Sequence, residues 1–364
     1  MKAAVLSQLG APLAVQTLPD PVPGTGEVIV DMAAAGVAGY TAGVFSGARN
    51  YLLELPIVPG PGGIGLVRAT GPDATKLQAG DWVFCDPTIR SRDDVINPDS
   101  ILLGWTAHAE AALPLHRYYH NGSYAQQLLV PTENVTALGE LDPADAGRWC
   151  ALSRLLVPYG GLLALDLQPS ETVVINGATG GFGGAGVAVA LAMGAGTVVA
   201  TGRRQQSLDS LRARLGPRVV PARMTGEEEQ DRRRIIELAA GRIDCVLDFL
   251  PREASAGQVR AALLAVSPGG RVVLMGGVGS GDNPNVPLPY RWLMHNNVTV
   301  RGQWMYPRDA VPRMIRMVRA GLIDLQHYDL TEFGLCDVND AVAHAAANAS
   351  PTQMTVLRPD RDTT

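Results

Sequence analysis

The feature that most constrains this chain is the apolar run TVVIN at residues 172–176. It passes directly into Gly177-Ala178-Thr179-Gly180-Gly181-Phe182-Gly183-Gly184-Ala185-Gly186 and then into small and aliphatic residues. Such a run suits a strand buried on both faces, and the glycines at its end permit a tight turn into a helix. Further apolar runs follow at 197–201 (TVVAT), 243–249 (IDCVLDF) and 271–275 (RVVLM), with helical stretches at 183–193, 205–215, 227–240 and 253–266. This alternation predicts an α/β fold with a doubly wound parallel sheet. In the helix at 227–240, Glu228/Arg232 and Glu229/Arg233 stand at i,i+4, as on an exposed helical face.

The chain before about residue 150 has a different texture. It is rich in Gly and Pro, with short β-like runs at 27–31 (EVIVD) and 81–85 (DWVFC). This predicts a mostly β domain, and a last strand is expected at 354–357 (MTVL). A length of 364 residues accommodates two domains. The net charge of −5, with no basic run among aromatics, argues against nucleic-acid and anionic-membrane partners. The N-terminus shows no signal-peptide core, no stretch reaches transmembrane length, and the four cysteines form no CxxC pair. A reduced, cytoplasmic protein is the expectation.

The glycine-rich turn has a specific use. Glycines let the backbone approach a pyrophosphate, while the helix N-terminus offers free N–H groups and a positive dipole end. Sites for NAD usually place an acid after the second strand, to bind the adenine ribose hydroxyls. Here 197–201 is followed by Gly202-Arg203-Arg204, with no acid until Asp209. Two guanidiniums suit a 2′-phosphate, so NADPH is the expected cofactor. The expected cofactor-binding residues are Thr179, Gly180, Gly181, Phe182, Gly183, Gly202, Arg203, Arg204 and Gly276.

Several segments together carry a resemblance. They are Gly26-Glu27-Val28-Ile29-Val30, Ala35-Gly36-Val37-Ala38, Leu55-Pro56-Ile57-Val58-Pro59-Gly60, Tyr159-Gly160-Gly161-Leu162 and the ATGGxG motif at 178–183. In this order they resemble the medium-chain dehydrogenase/reductase superfamily, and the glycine motif is similar to that of its zinc-free reductases. The resemblance implies a GroES-like catalytic domain over 1–148, completed by about 305–364, and a Rossmann domain over 149–304. It also implies an active site in the cleft, and a homodimer formed through the strand at 297–301.

The departures from the zinc-dependent members concern their metal ligands. Ala38 stands where those carry cysteine, Pro61-Gly62 where they carry His-Glu, and Ser153 at the third ligand position. The region of the structural zinc lobe, roughly 86–123, contains no cysteine. Cys150 lies one turn from Ser153 but lacks partners. His116 and His120 have i,i+4 spacing without the HExxH glutamate, and Pro114 and Asn121-Gly122 confine any helix there. No metal is expected. Tyr118, Tyr119 and Tyr124 are candidates to shape a substrate pocket.

Without a metal, a side chain must answer for the charge created by hydride delivery. A Tyr-x-x-x-Lys pair is excluded, since lysine occurs only at Lys2 and Lys76, and no GxSxG motif is present. Tyr51, in Arg49-Asn50-Tyr51-Leu52-Leu53-Glu54-Leu55-Pro56, resembles the tyrosine implicated in protonation in mitochondrial-type enoyl reductases. Tyr40 is the second candidate, and Thr41 is placed to bind substrate or a ribose hydroxyl. The expected activity is NADPH-dependent reduction of a small molecule, either an enone or enal double bond or a quinone. Two alternatives stay open: a metal-free ketone, aldehyde or imine reductase, and a low-turnover NADPH-binding protein.

Overall fold

The computed structural model describes residues 1–93, 95–278 and 285–360. The chain divides into two compact units, one comprising Met1–Ser153, Tyr328–Ala349 and Gln353–Thr364, the other Arg154–His327 and Ser350–Thr352. Residues 361–364 lie outside the described residues.

The second unit is built on six parallel strands. Their order is Val219–Arg223, Thr197–Gly202, Thr172–Asn176, Cys245–Asp248, Arg271–Leu274 and Thr299–Gly302. This is the Rossmann order, with the chain reversing direction across the sheet at the strand that carries the glycine motif. Val173, Val174 and Ile175 are fully buried, which is why the run shows no polar alternation. Helices Gly181–Ala192, Gln205–Leu215, Glu228–Ala239 and Ala256–Leu263 connect the strands. The last begins later than the sequence pattern suggests, because Ser255 and Gln258 form a reciprocal capping box.

Two details of this unit are set by tertiary contacts. Of the two i,i+4 pairs, Glu229 meets Arg233 at 2.8 Å, but Arg232 also turns to Glu229, at 3.0 Å. Glu228 pairs instead with Arg260 of the next helix, at 2.9 Å. The chain also returns to the first unit at Tyr328 rather than near residue 305. Met305 and Tyr306 close on Gly160, where a Cβ would meet the Met305 carbonyl oxygen at 2.3 Å, and Arg214 donates to the His327 carbonyl at 2.7 Å.

The first unit is the GroES-like one. Its long strand Glu27–Val37 pairs antiparallel with Gly63–Thr70, with Gln127–Pro131 and with the last strand, Gln353–Arg358. Asp329–Gly334 runs parallel to that last strand, so the C-terminal segment is stitched into the sheet. Within 86–123, strands Thr88–Arg90, Ser100–Leu102 and Thr106–Ala107 form a small sheet ahead of helix Leu113–Tyr118. Ile89, Ile101 and Leu103 are fully buried in the unit's core, so apolar burial secures this lobe. Arg92 adds an ion pair to Glu133 at 2.7 Å. Among the described residues no helix is long and apolar enough to cross a membrane.

Candidate functional site

In the Rossmann unit, the turn between strand Thr172–Asn176 and helix Gly181–Ala192 is closed by approaches that exclude side chains. A Cβ on Gly183 would stand 2.2 Å from the Gly177 carbonyl oxygen. One on Gly202 would stand 2.2 Å from Thr179 Cγ2. Gly202 therefore gives its side-chain space to Thr179. Beneath the turn, Thr201 Oγ1 accepts from Gly177 N at 3.2 Å and donates to Asn176 Oδ1 at 2.7 Å. Asn176 Nδ2 in turn donates to Asp248 Oδ1 at 2.7 Å. This row ties the carboxyl ends of three adjacent strands together. Gly276 belongs to the same packing, since a Cβ there would lie 2.6 Å from Asp248 Oδ2.

The outer side of the turn fits a pyrophosphate. At Gly180 a Cβ would meet only the Gly177 carbonyl oxygen, at 3.4 Å. The helix starts at Gly181 with no side-chain cap from Gly180, and its dipole end favours an anion. Arg154 lays its guanidinium against Gly181, with Cζ and Nε 3.3 Å from the Cβ position. Arg203 and Arg204 are exposed, and Arg204 Nη2 donates to the Thr179 carbonyl at 3.5 Å. The parallel register sets exposed Arg223 beside Gly202. Sequence reasoning missed Arg154, whose contact with the turn is purely tertiary. Arg223 was open to discovery as the residue closing the third strand. These groups fit the phosphates of a dinucleotide.

In the catalytic unit, Tyr40 precedes the short helix Thr41–Phe45, whose first residue, Thr41, is fully buried with its hydroxyl unpartnered. Arg49 stands over the Tyr40 ring, Cζ 4.4 Å from the centroid. Trp105, fully buried, packs edge-on to Tyr40, Phe45 and Tyr124 at centroid distances of 6.3, 5.7 and 6.4 Å. The Tyr124 hydroxyl donates to the Gly36 carbonyl at 3.2 Å. Tyr51 is near enough to Tyr40 to raise its pKa, and the residue after it, Leu52, bonds strand Thr106–Ala107, with its N–H 3.0 Å from Thr106 Oγ1. Sequence reasoning missed Trp105, which sits in no motif.

Of the three tyrosines expected to shape a pocket, only Tyr124 packs in this aromatic group. Tyr119 is buried in the β core and Tyr118 is 64% exposed. His116 is fully buried with both ring nitrogens unpartnered, and burial followed by the neighbouring His120 lowers its pKa. His120 contacts the Pro56 carbonyl.

Gly62 has φ +71°, and a Cβ on it would stand 2.1 Å from the Cys85 carbonyl oxygen, so no carboxylate fits there. Cys150 is buried, its thiol pushed up to about 12 by that burial and bonded to the Ala146 carbonyl at 3.8 Å. Among the described residues no group of three or more His, Cys, Asp or Glu is placed to hold a metal.

A six-stranded parallel sheet with this glycine turn, accompanied by a GroES-like unit, defines a nucleotide-dependent dehydrogenase or reductase fold. The chain belongs to the medium-chain dehydrogenase/reductase superfamily: residues 24–140 match the alcohol dehydrogenase GroES-like domain and residues 181–320 the zinc-binding dehydrogenase family. An alcohol dehydrogenase of Moraxella sp. is 31% identical over 202 residues, 53% of this chain and 56% of that protein. The match thus spans about half of that relative. Sorbitol dehydrogenase of Bacillus subtilis is 23% identical over 99% of this chain and 98% of its own. In fold, the chain is similar to a thermostable alcohol dehydrogenase of Pyrobaculum aerophilum with bound cobalt and zinc (TM-score 0.77, 23% identity, 99% of each chain). It is also similar to an alcohol dehydrogenase from Thermus sp. ATN1 (TM-score 0.80, 22% identity, 98% of this chain and 100% of that one).

Asp248 yields a pH-dependent prediction. Its side chain is buried, and burial pushes its carboxyl up to about 6, against the donors Asn176 and Leu250. The native state therefore holds this proton at pH values where the unfolded chain releases it, and the group's contribution to stability grows as pH falls from about 7 toward 4. A rise of about two pKa units corresponds to about 3 kcal/mol at most. Denaturant unfolding of the wild type and of Asp248→Asn at about pH 7 and pH 4.5 should show the wild type gaining on the variant at the lower pH. A difference independent of pH would refute the raised value.

Proposed function

We propose that the protein is a zinc-independent, NADPH-dependent oxidoreductase that delivers hydride to an activated double bond, as in an enone or enal, or to a quinone. The observation that carries this reading is the residue set at the places of the zinc members' cysteine, His-Glu pair and third ligand: Ala38, Pro61 with Gly62, which is closed to any side chain, and Ser153. Hydride addition to a simple ketone leaves charge on one oxygen, which normally calls for a Lewis acid or a well-placed acid. Addition at the far carbon of an enone gives a delocalised enolate, which a single hydroxyl can protonate. Tyr51, Tyr40 and Thr41 are the candidate hydroxyls. The names of the relatives, alcohol and sorbitol dehydrogenases, favour a second reading, reduction of ketones, aldehydes or imines.

For the cofactor, Thr179, Gly180, Gly181, Phe182 and Gly183 form the pyrophosphate turn, and Arg203 and Arg204 hold the 2′-phosphate. Gly202 and Gly276 contribute by letting the turn and Asp248 pack closely. When bound, the cofactor supplies the hydride.

The same unit supports a homodimer. Strand Thr299–Gly302 ends the sheet, paired on one side only with Arg271–Leu274 among the described residues. Tyr290 (80% exposed), Met294 (56%) and Trp304 (42%) leave large apolar surface on the segments flanking it. An unpaired edge with apolar neighbours is the kind that a two-fold axis covers.

Steady-state turnover with both cofactors and three acceptor classes tests the reading. NADPH should bind at least ~10-fold more tightly than NADH, about 1.4 kcal/mol, and the double change Arg203→Ala, Arg204→Ala should erase most of that preference. Enones or quinones should be reduced and saturated ketones hardly at all. Faster reduction of saturated ketones than of every enone and quinone, or equal affinity for the two cofactors, would refute it. Light scattering should give a dimer mass at micromolar concentration, and a monomer there would remove the dimer.

A further inference from the structure

We propose that Tyr40, and not Tyr51, delivers the proton in the reduction proposed above, with Arg49 and Trp105 as positioning residues that stabilise the phenolate left behind. The proposal rests on that reading of the function. It starts from what converges on the Tyr40 phenol. The Arg49 guanidinium covers one face of the ring at 4.4 Å. The backbone fixes it there, since the N–H of Arg49 donates to the Gly43 carbonyl at 3.1 Å, holding the chain after helix Thr41–Phe45 against that helix. Trp105 approaches from the lobe at 86–123, and its indole is held by Phe45 and Tyr124 on its other sides.

The indole Nε1 is fully buried and has no hydrogen-bond partner. The indole packs edge-on to the Tyr40 ring, with centroids 6.3 Å apart, and acts to lower the phenol's pKa, as a donor near the phenolate does. A buried donor left in this state is costly, of the kind retained where a charge develops during reaction. Phenolate formation at Tyr40 supplies that charge. Thr41 Oγ1, the adjacent residue's hydroxyl, is likewise buried and unpartnered.

A proton donor must hold its proton until it is needed and tolerate losing it. Burial supplies the first property, pushing the Tyr40 phenol up to about 12, and the proximity of Tyr51 adds to it. Trp105 and Arg49 supply the second, each acting to lower that value. No guanidinium stands over the Tyr51 ring among the described residues. The pairing of a tyrosine with a fixed cation is the logic of a tyrosine–lysine pair, and here arginine takes the cation's place in a chain with two lysines.

The step balances as follows in atoms and electrons. Hydride adds to the β-carbon of the enone, and the π pair moves to the α-carbon and carbonyl oxygen as an enolate. The Tyr40 Oη–H bond then breaks, its proton passes to the enolate, and solvent water reprotonates the phenolate.

The test exploits a difference between acceptors. An enolate requires a proton to become product, whereas a hydroquinone anion, a phenolate with a pKa near 10, is released without one. Tyr40→Phe should lower kcat on an enone about 100-fold more than on a quinone, with the fluorescence-measured Kd for NADPH unchanged. Trp105→Phe and Arg49→Gln should lower the enone-to-quinone ratio in the same direction, and Arg49→Lys should recover part of it. Tyr51→Phe should change both rates to the same degree. If Tyr40→Phe does not fold, Arg49→Gln, on a half-exposed side chain, carries the same test. The proposal is overturned if the ratio survives in Tyr40→Phe or Arg49→Gln, or if Tyr51→Phe alone collapses it. A wild type that reduces neither acceptor overturns the functional reading and this proposal with it.

Discussion

The nucleotide-binding half of the molecule depends on one close approach, that of Gly183 to the Gly177 carbonyl. Any side chain at Gly183 would place an atom 2.2 Å from that oxygen. The turn is therefore available only to glycine, and its tightness is what starts helix Gly181–Ala192 directly above the strand end. The same economy of space recurs one strand over, where Gly202 admits Thr179, and two strands over, where Gly276 admits Asp248. The polar row Thr201, Asn176 and Asp248 lies under these contacts. It keeps the carboxyl ends of the strands in register while leaving the outer face of the turn to the backbone N–H groups and to Arg154. Burial of the Asp248 carboxyl, with its raised pKa, is the cost of that arrangement.

The GroES-like unit is organised by an equally local constraint. Gly62, at positive φ and pressed on the Cys85 carbonyl, closes the position that the resemblance aligns with the glutamate of the zinc members' Gly-His-Glu. The lobe at 86–123 keeps its place through buried Ile89, Ile101 and Leu103. Secured in this way, it contributes Trp105 to the aromatic group around Tyr40 and Thr41. A lobe whose metal-binding counterpart is structural in the zinc members thus brings a donor to the place where chemistry is proposed.

Much of the Rossmann unit was legible because its signals are local. Residues 172–176 form the predicted strand residue for residue, and helix Gln205–Leu215 has its predicted limits. Boundaries failed where a cap or a tertiary contact decided them, as at Ser255, or at Tyr328, where the chain returns to the first unit. The candidate site was legible in its glycines and in Tyr40, Thr41 and Tyr51, which sit in recognisable segments. Arg154 and Trp105 were not, because their partners are distant in sequence and no spacing rule links them. Arg49 was visible only as a neighbour of Tyr51, yet its guanidinium covers Tyr40. Tyr118 and Tyr119 illustrate the converse, since an aromatic stripe in sequence split into an exposed ring and a core ring.

The central claim is that this member of the superfamily performs reduction with side chains where its zinc-dependent relatives use a metal. The most direct measurement is elemental analysis of protein purified without chelator, combined with turnover before and after EDTA treatment. The account predicts well below one zinc per chain and unchanged turnover on an enone or quinone. Zinc at one equivalent per chain, with turnover lost on its removal and restored by adding it back, would contradict it.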